Sequence, residues 1–150
     1  MVALGREREA IANARENEKT LPKQHAPWAV AYRAYLEGDR QTALEALDQA
    51  LELMPMLWGD PEARFCVACF LAKLNEPRAL EFLSVALDRG YCCHYALLHD
   101  PFLDSLRSHP GFQELVSRAA ELDLQARTVF LDNGGAWLLG VNMDHPNKPG

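Results

Sequence analysis

Apolar residues recur in three- and four-residue steps along most of this chain, and the pattern breaks at prolines and glycines. From Phe112 the steps run through Leu115, Ala119, Leu122, Ala126 and Val129, which places one apolar stripe on a long helix with a polar opposite face. Comparable segments predict helices near residues 4–18, 26–37, 40–54, 61–74, 77–89 and 110–132, with one or two short helical turns between 91 and 107. Period-two alternation is nearly absent, so strands are not expected. The stretch 128–141 admits two readings, because Asp132-Asn133-Gly134-Gly135 between apolar runs fits a hairpin turn as well as a helix end. A helix followed by a short apolar tail is favoured, with residues 142–150 a frayed end.

The boundaries carry their own chemistry. Proline is tolerated at the first helical position, where its missing N–H would be unpaired in any case. Asp60-Pro61 and Asp100-Pro101 set a capping carboxylate before such a proline; Ala26-Pro27, Glu76-Pro77 and His109-Pro110 are weaker versions, with Ser108 an alternative cap. Gly38, Gly90 and Gly134 each follow a periodic segment, where a left-handed residue ends a helix.

Two of the predicted helices echo each other. Ala43-Leu44-Glu45-Ala46-Leu47-Asp48-Gln49-Ala50-Leu51 returns as Ala79-Leu80-Glu81-Phe82-Leu83-Ser84-Val85-Ala86-Leu87. Self-similarity at a few tens of residues marks stacked helical units that bury their apolar faces only against neighbours. Ala43 and Ala50 permit close helix approach, Leu44, Leu47 and Leu51 fill the space between, and Gly38 allows a tight reversal.

Composition narrows the class. A chain of 150 residues, 49% apolar and 24% charged, suits one compact domain without disulfides or a structural metal. A net charge of −6 opposes binding to phosphate backbones or anionic membranes, and cations do not cluster. The N-terminal twenty residues are too charged for a secretory signal, and no stretch reaches the roughly 20 apolar residues needed to span a bilayer. With four cysteines and no export signal, a reducing cytoplasmic location is expected.

The first unit, Trp28, Ala31, Tyr35, Gly38-Asp39, Ala43-Leu44, Leu47, Ala50-Leu51 and Pro55, resembles a tetratricopeptide repeat. The resemblance implies an all-α fold of antiparallel helix pairs, an α-solenoid closed by a long C-terminal helix. Units fall near 26–55 and 60–89, with a degenerate closing unit over 90–132, all in a single domain. The second unit carries Phe65, Val67, Ala68 and Leu71 on its first helix, but Leu74-Asn75-Glu76-Pro77 replaces the Gly-Asp turn, with one residue missing. In the closing unit Leu115, Val116, Ala119 and Leu122 fall at the offset of Ala79, Leu80, Leu83 and Ala86. The run Asp100-Pro101-Phe102-Leu103-Asp104-Ser105-Leu106-Arg107, followed by Pro110-Gly111-Phe112, resembles the closing segment of tetratricopeptide arrays in bacterial signalling and transcription-regulatory proteins. It predicts that Leu103 and Leu106 plug the array's end, with Asp100 and Asp104 near a helix start.

Candidate chemistry is weighed against packing. Cys66 and Cys69, with Cys92-Cys93-His94 and His99, would serve as metal ligands, but Cys66-Val67-Ala68-Cys69 lies mid-helix in an apolar run, where cysteine behaves as a small hydrophobe. His94, His99, His109, Asp100, Asp104, Ser105 and Ser108 would make an acid–base cast, yet caps and turns account for them, and neither a nucleophile elbow nor a phosphate loop surrounds them. No catalytic residue, metal or cofactor is therefore expected.

In the tetratricopeptide family the first helices line a concave groove. The resemblance thus implies Tyr32 and Tyr35 of the first unit, and Phe65, Cys69 and Lys73 of the second, as partner-binding candidates, with core packing as their alternative; Trp28 is assigned to the core. The leading expectation is a non-enzymatic module that binds a protein or peptide partner, one carrying apolar anchors and an acidic group. Two alternatives stay open: a sensory domain taking a small molecule or metal, and a module that self-associates, for example as a homodimer, through its final helix.

Overall fold

The computed structural model describes residues 4–55 and 59–132. Among them the chain is all-α: α1 (Leu4–Thr20), α2 (Ala26–Leu36), α3 (Arg40–Leu53), α4 (Pro61–Lys73), α5 (Arg78–Asp88), α6 (His94–His99), a 3-10 segment (Pro101–Leu106) and α7 (Pro110–Asp132). The predicted helices are all present within a few residues of their expected bounds. The short turns between 91 and 107 are α6 and the 3-10 segment. The region beyond Asp132, including Gly134 and the hairpin alternative, lies outside the described residues.

Two antiparallel helix pairs, α2 with α3 and α4 with α5, form the centre; α1 lies on α2, the 3-10 segment on α4, and α7 on α5 and α6. The echoed residues point inward. Ala43, Leu47, Ala50 and Leu51 on α3, and Ala79, Leu83, Ala86 and Leu87 on α5, are all buried. Alanine at these crossings lets backbones approach closely while leucine fills the remaining volume, the division of labour that native packing density requires.

Both pairs turn in the same way despite different sequences. At the end of α2, Gly38 (φ 78°) is left-handed, its N–H donates to the Tyr35 carbonyl, and the Asp39 N–H donates to that of Ala34. At the end of α4, Asn75 (φ 51°) takes that conformation, its N–H donates to the Ala72 carbonyl, and the Glu76 N–H donates to that of Leu71. Gly90 (φ 97°) and Tyr91 repeat the arrangement after α5, on Leu87 and Ala86. These are Schellman ends, which satisfy carbonyls that a helix terminus would leave unpaired. Asn75 thus does the work of the missing glycine, since asparagine is among the few side chains that tolerate this region.

The missing residue falls after the left-handed position. In the first pair Asp39 caps α3 by accepting from the Thr42 N–H and hydroxyl. In the second pair Pro77 sits at the cap itself and has no side-chain acceptor to offer, so it precedes α5 rather than opening it. Asp60 and Asp100 behave as the sequence predicts, accepting from the N–H groups of Glu62 and Ala63 and of Phe102 respectively. At α7 the expected alternative cap Ser108 is replaced by the His109 ring, whose Nδ1 accepts from the Gly111 N–H at 3.1 Å.

The segment from Asp100 to Arg107 packs against α4. Leu103 is fully buried and Leu106 packs partly against the same core. Ser105 donates to the Ala72 carbonyl in the last turn of α4 at 2.9 Å, while Arg107 donates to the carbonyls of Leu97 and Asp100 and pairs with Asp104. A cation over the last carbonyls of α6 opposes the negative helix pole. The apolar stripe of α7 is inside only through Ala119, with Leu122 half-buried; Ala126 and Val129 are exposed, so the helix outruns the core that its first half covers.

Candidate functional site

The partner-binding candidates separate into surface and interior. Tyr32 is 46% exposed on α2 and Tyr35 is half-buried; their rings lie 6.4 Å apart, and Tyr35 meets Phe70 of α4 edge-on at 5.8 Å. These three rings carry an aromatic line from α2 to α4. An edge-to-face pair of this kind is worth about 1 kcal/mol beyond its buried area. Phe70 escaped the sequence reading because an apolar residue inside an apolar helix shows no sign of its orientation.

Phe65 and Cys69 fall instead in the core, each 7% exposed, which is the packing alternative rather than the groove. Phe65 stacks on Tyr91 at 4.4 Å with the planes 14° apart. The Cys69 thiol points to Asp100, its Sγ donating to Oδ2 at 3.8 Å. Burial pushes the Cys69 thiol well above its ordinary value, and the nearby Asp100 carboxylate adds to the effect. Cys66, on the same helix but exposed, is also raised by burial and by surrounding acids. Reactive or metal-bound cysteines need the opposite field, one that favours thiolate. Among the described residues no group of three or more His, Cys, Asp or Glu side chains is placed to hold a metal ion.

Lys73 ends α4 and is exposed, its Nζ 5.1 Å from the centre of the Phe102 ring. Among the described residues it has no carboxylate partner, whereas the neighbouring acids are occupied. Glu76 holds Arg40 at 3.0 Å and Arg78 at 3.2 Å, Glu37 holds Arg15 and Arg33, and Asp39 caps α3. Arg78 also reaches Asp48 on α3, and Arg40 donates to the Leu74 carbonyl at 2.7 Å. This chain of pairs ties one helix pair to the other, although exposed ion pairs of this kind contribute at most about 1 kcal/mol each.

Two shallow cavities flank the tyrosines. One, about 250 Å³, lies between α1 and α2 over Ala10, Ala14 and Ala29, with Asn13, Asn17 and Tyr32 on its rim. The other, about 230 Å³, lies at the shared end of α2 and α4 and is lined by Tyr35, Gly38, Arg40, Lys73, Leu74 and Asn75. The first was not foreseen. The α1 sequence is polar on most faces, and only the antiparallel contact with α2, clamped by Arg33 to Glu18 and Arg15 to Glu37, shows which alanines face inward. The second brings together Tyr35 and Lys73 from different helices.

No family model matches the chain, and no curated protein and no solved structure matches it. Among the described residues no helix is long and apolar enough to cross a membrane.

Proposed function

We propose that the chain is a non-enzymatic protein-interaction module, tetratricopeptide-like in its helix pairs, that binds a peptide or a segment of a protein partner along the first helices of those pairs. The observation that carries this reading is the surface made by Tyr32, Tyr35 and Lys73: two aromatic rings and a cation lacking a carboxylate among the described residues, flanked by two open cavities. Rigid aromatic rings supply contact area at small entropic cost, and a charge-assisted bond to Lys73 adds specificity. Helices already held in place by the core lose little freedom on binding, so a modest interface suffices. The two equivalent pair turns, at Gly38 and Asn75, support the likeness to the repeat family.

The test is affinity capture from the native cell, comparing the full chain with its Tyr32→Ala, Lys73→Gln double variant. The reading expects a partner recovered by the former and depleted by at least tenfold with the latter. Equal recovery by both refutes it.

A further inference from the structure

We infer that α1 is a latched cover on α2: a helix held mainly by one closed chain of ion pairs, which leaves its seat while the rest of the fold stays intact and so uncovers Ala29, Tyr32 and Arg33. The device is independent of the binding role proposed for Tyr35 and Lys73.

The packing beneath α1 is thin. Of its described side chains only Ala14 is buried, with Glu7, Ala10, Ile11 and Glu18 half-buried along the same face. The shorter α3 buries Ala43, Ala46, Leu47, Ala50 and Leu51. A helix in a folded protein owes most of its stability to such packing, because an isolated helix of this length is marginal in water. Among the described residues α2 is the one element against which α1 packs to any extent, and Ala14 and Ala29 both lie outside the two core clusters. The cavity of about 250 Å³ falls within that seam, over Ala10, Ala14 and Ala29. Alanine at the other helix crossings brings backbones together; here it leaves a gap, and side chains lining a gap forfeit the contacts that would hold them.

Charge supplies what packing does not. Arg33 donates to Glu18 of α1 and, at 2.6 Å, to Glu37 at the end of its own helix; Glu37 accepts in turn from Arg15 of α1 at 2.8 Å. The chain of pairs thus runs from α1 to α2 and back, with Arg33 and Glu37 each shared. Ion pairs at a protein surface are screened by salt, whose reach falls from about 10 Å at 0.1 M to about 3 Å at 1 M. Residues 21–25 join the two helices and give α2 no side-chain cap, so α1 swings away about this joint without costing α2 a capping bond. Ala29, Tyr32 and Arg33 are three and four residues apart on one face of α2, and they then open together as a strip.

Hydrogen exchange of the full chain, resolved by NMR at about 0.1 M and about 1 M sodium chloride, tests this. Amides of α1 exchange on the order of a hundredfold faster than those of α3, since release of one helix is a smaller opening than global unfolding, yet slower than in an unstructured chain. The higher salt speeds α1 about fivefold relative to α3. Arg33→Gln loosens both ties, speeds α1 about tenfold and removes most of the salt response. Ala10→Leu fills the cavity and slows α1 about tenfold; leucine and alanine are both strong helix formers, so the slowing reports docking. Exchange in α3, α4 and α5 is unchanged in both variants. The inference is overturned if α1 exchanges at the rate of α3, which makes it part of the cooperative core, or at the rate of an unstructured chain, which leaves it without a seat. It is overturned as well if α1 ignores salt and Arg33→Gln, or if Ala10→Leu leaves it no slower. None of these outcomes alters what the capture experiment reads.

Discussion

Replacing Phe65 separates packing from recognition more sharply than any other change. The ring is 7% exposed and stacked on Tyr91 at 4.4 Å, so Phe65→Ala removes an interior aromatic and leaves a void between α4 and the segment after α5. Such truncations cost about 3–5 kcal/mol, of which the ring stack accounts for roughly 1 kcal/mol. Domains of this size are stable by about 5–15 kcal/mol, so the variant stands near its folding limit. Phe65→Leu keeps most of the volume and costs about 1.5 kcal/mol. Urea titrations followed by circular dichroism at 222 nm measure both, with an unchanged slope showing that the native and denatured states are otherwise alike. Tyr32→Ala, at a half-exposed ring, shifts stability by no more than about 0.5 kcal/mol. The reasoning fails if Phe65→Ala costs less than about 1 kcal/mol while eliminating binding to a partner, since that pattern belongs to a surface anchor.

Four further outcomes are expected. Gly38→Ala costs about 1–2 kcal/mol because its φ of 78° brings a Cβ into conflict with the local backbone, whereas Asn75→Gly is close to neutral; thermal melts of both variants compare the two. Asp60→Ala and Asp100→Ala each cost about 1 kcal/mol through loss of a cap, and amide exchange rises first at the starts of α4 and of the 3-10 segment. In mass-spectrometric alkylation at pH 8, exposed Cys93 reacts readily and Cys69 only on unfolding, because burial holds its thiol protonated. Glu37 is kept below the usual carboxylate range by Arg15 and then Arg33, and Asp39 by the Thr42 hydroxyl and N–H. Both therefore stabilise the fold while ionised. That contribution is complete above the ordinary carboxylate pKa and is lost as pH falls through the lower folded values, so the urea midpoint drops below about pH 4, and less steeply in Asp39→Asn.

The fold was legible wherever one residue type has one physical use. Asp before Pro announced the starts at Pro61 and Pro101, and three- and four-residue steps announced the longer amphipathic helices. Reading failed where the partner is distant in sequence. Phe65 looks like a groove residue until Tyr91 is seen lying on it, and Cys69 until Asp100 closes over it. The stripe on α7 continues smoothly from Phe112 to Val129, but periodicity fixes only a face and not how far a core extends beneath it, so the exposure of Ala126 and Val129 was not visible. Tyr32, Tyr35 and Lys73 were named as candidates only through the family likeness, and it is the meeting of Tyr35 with Phe70 of α4 that sets Tyr35 and Lys73 on one cavity.

The joints after α2 and α4 close with the same two hydrogen bonds, yet the second helix begins with one residue fewer between the left-handed position and its first buried alanine. Removing a residue ahead of a helix would ordinarily rotate its faces by about 100° and turn the apolar side outward. Here the shortened joint exchanges a side-chain cap for a proline at the cap position, and Ala79 and Leu83 are still buried as Ala43 and Leu47 are. The joint therefore acts as a phase corrector, holding the direction of the chain constant while its length varies. A comparison at one fixed period slides out of register at each such joint, even though the shape on either side is preserved.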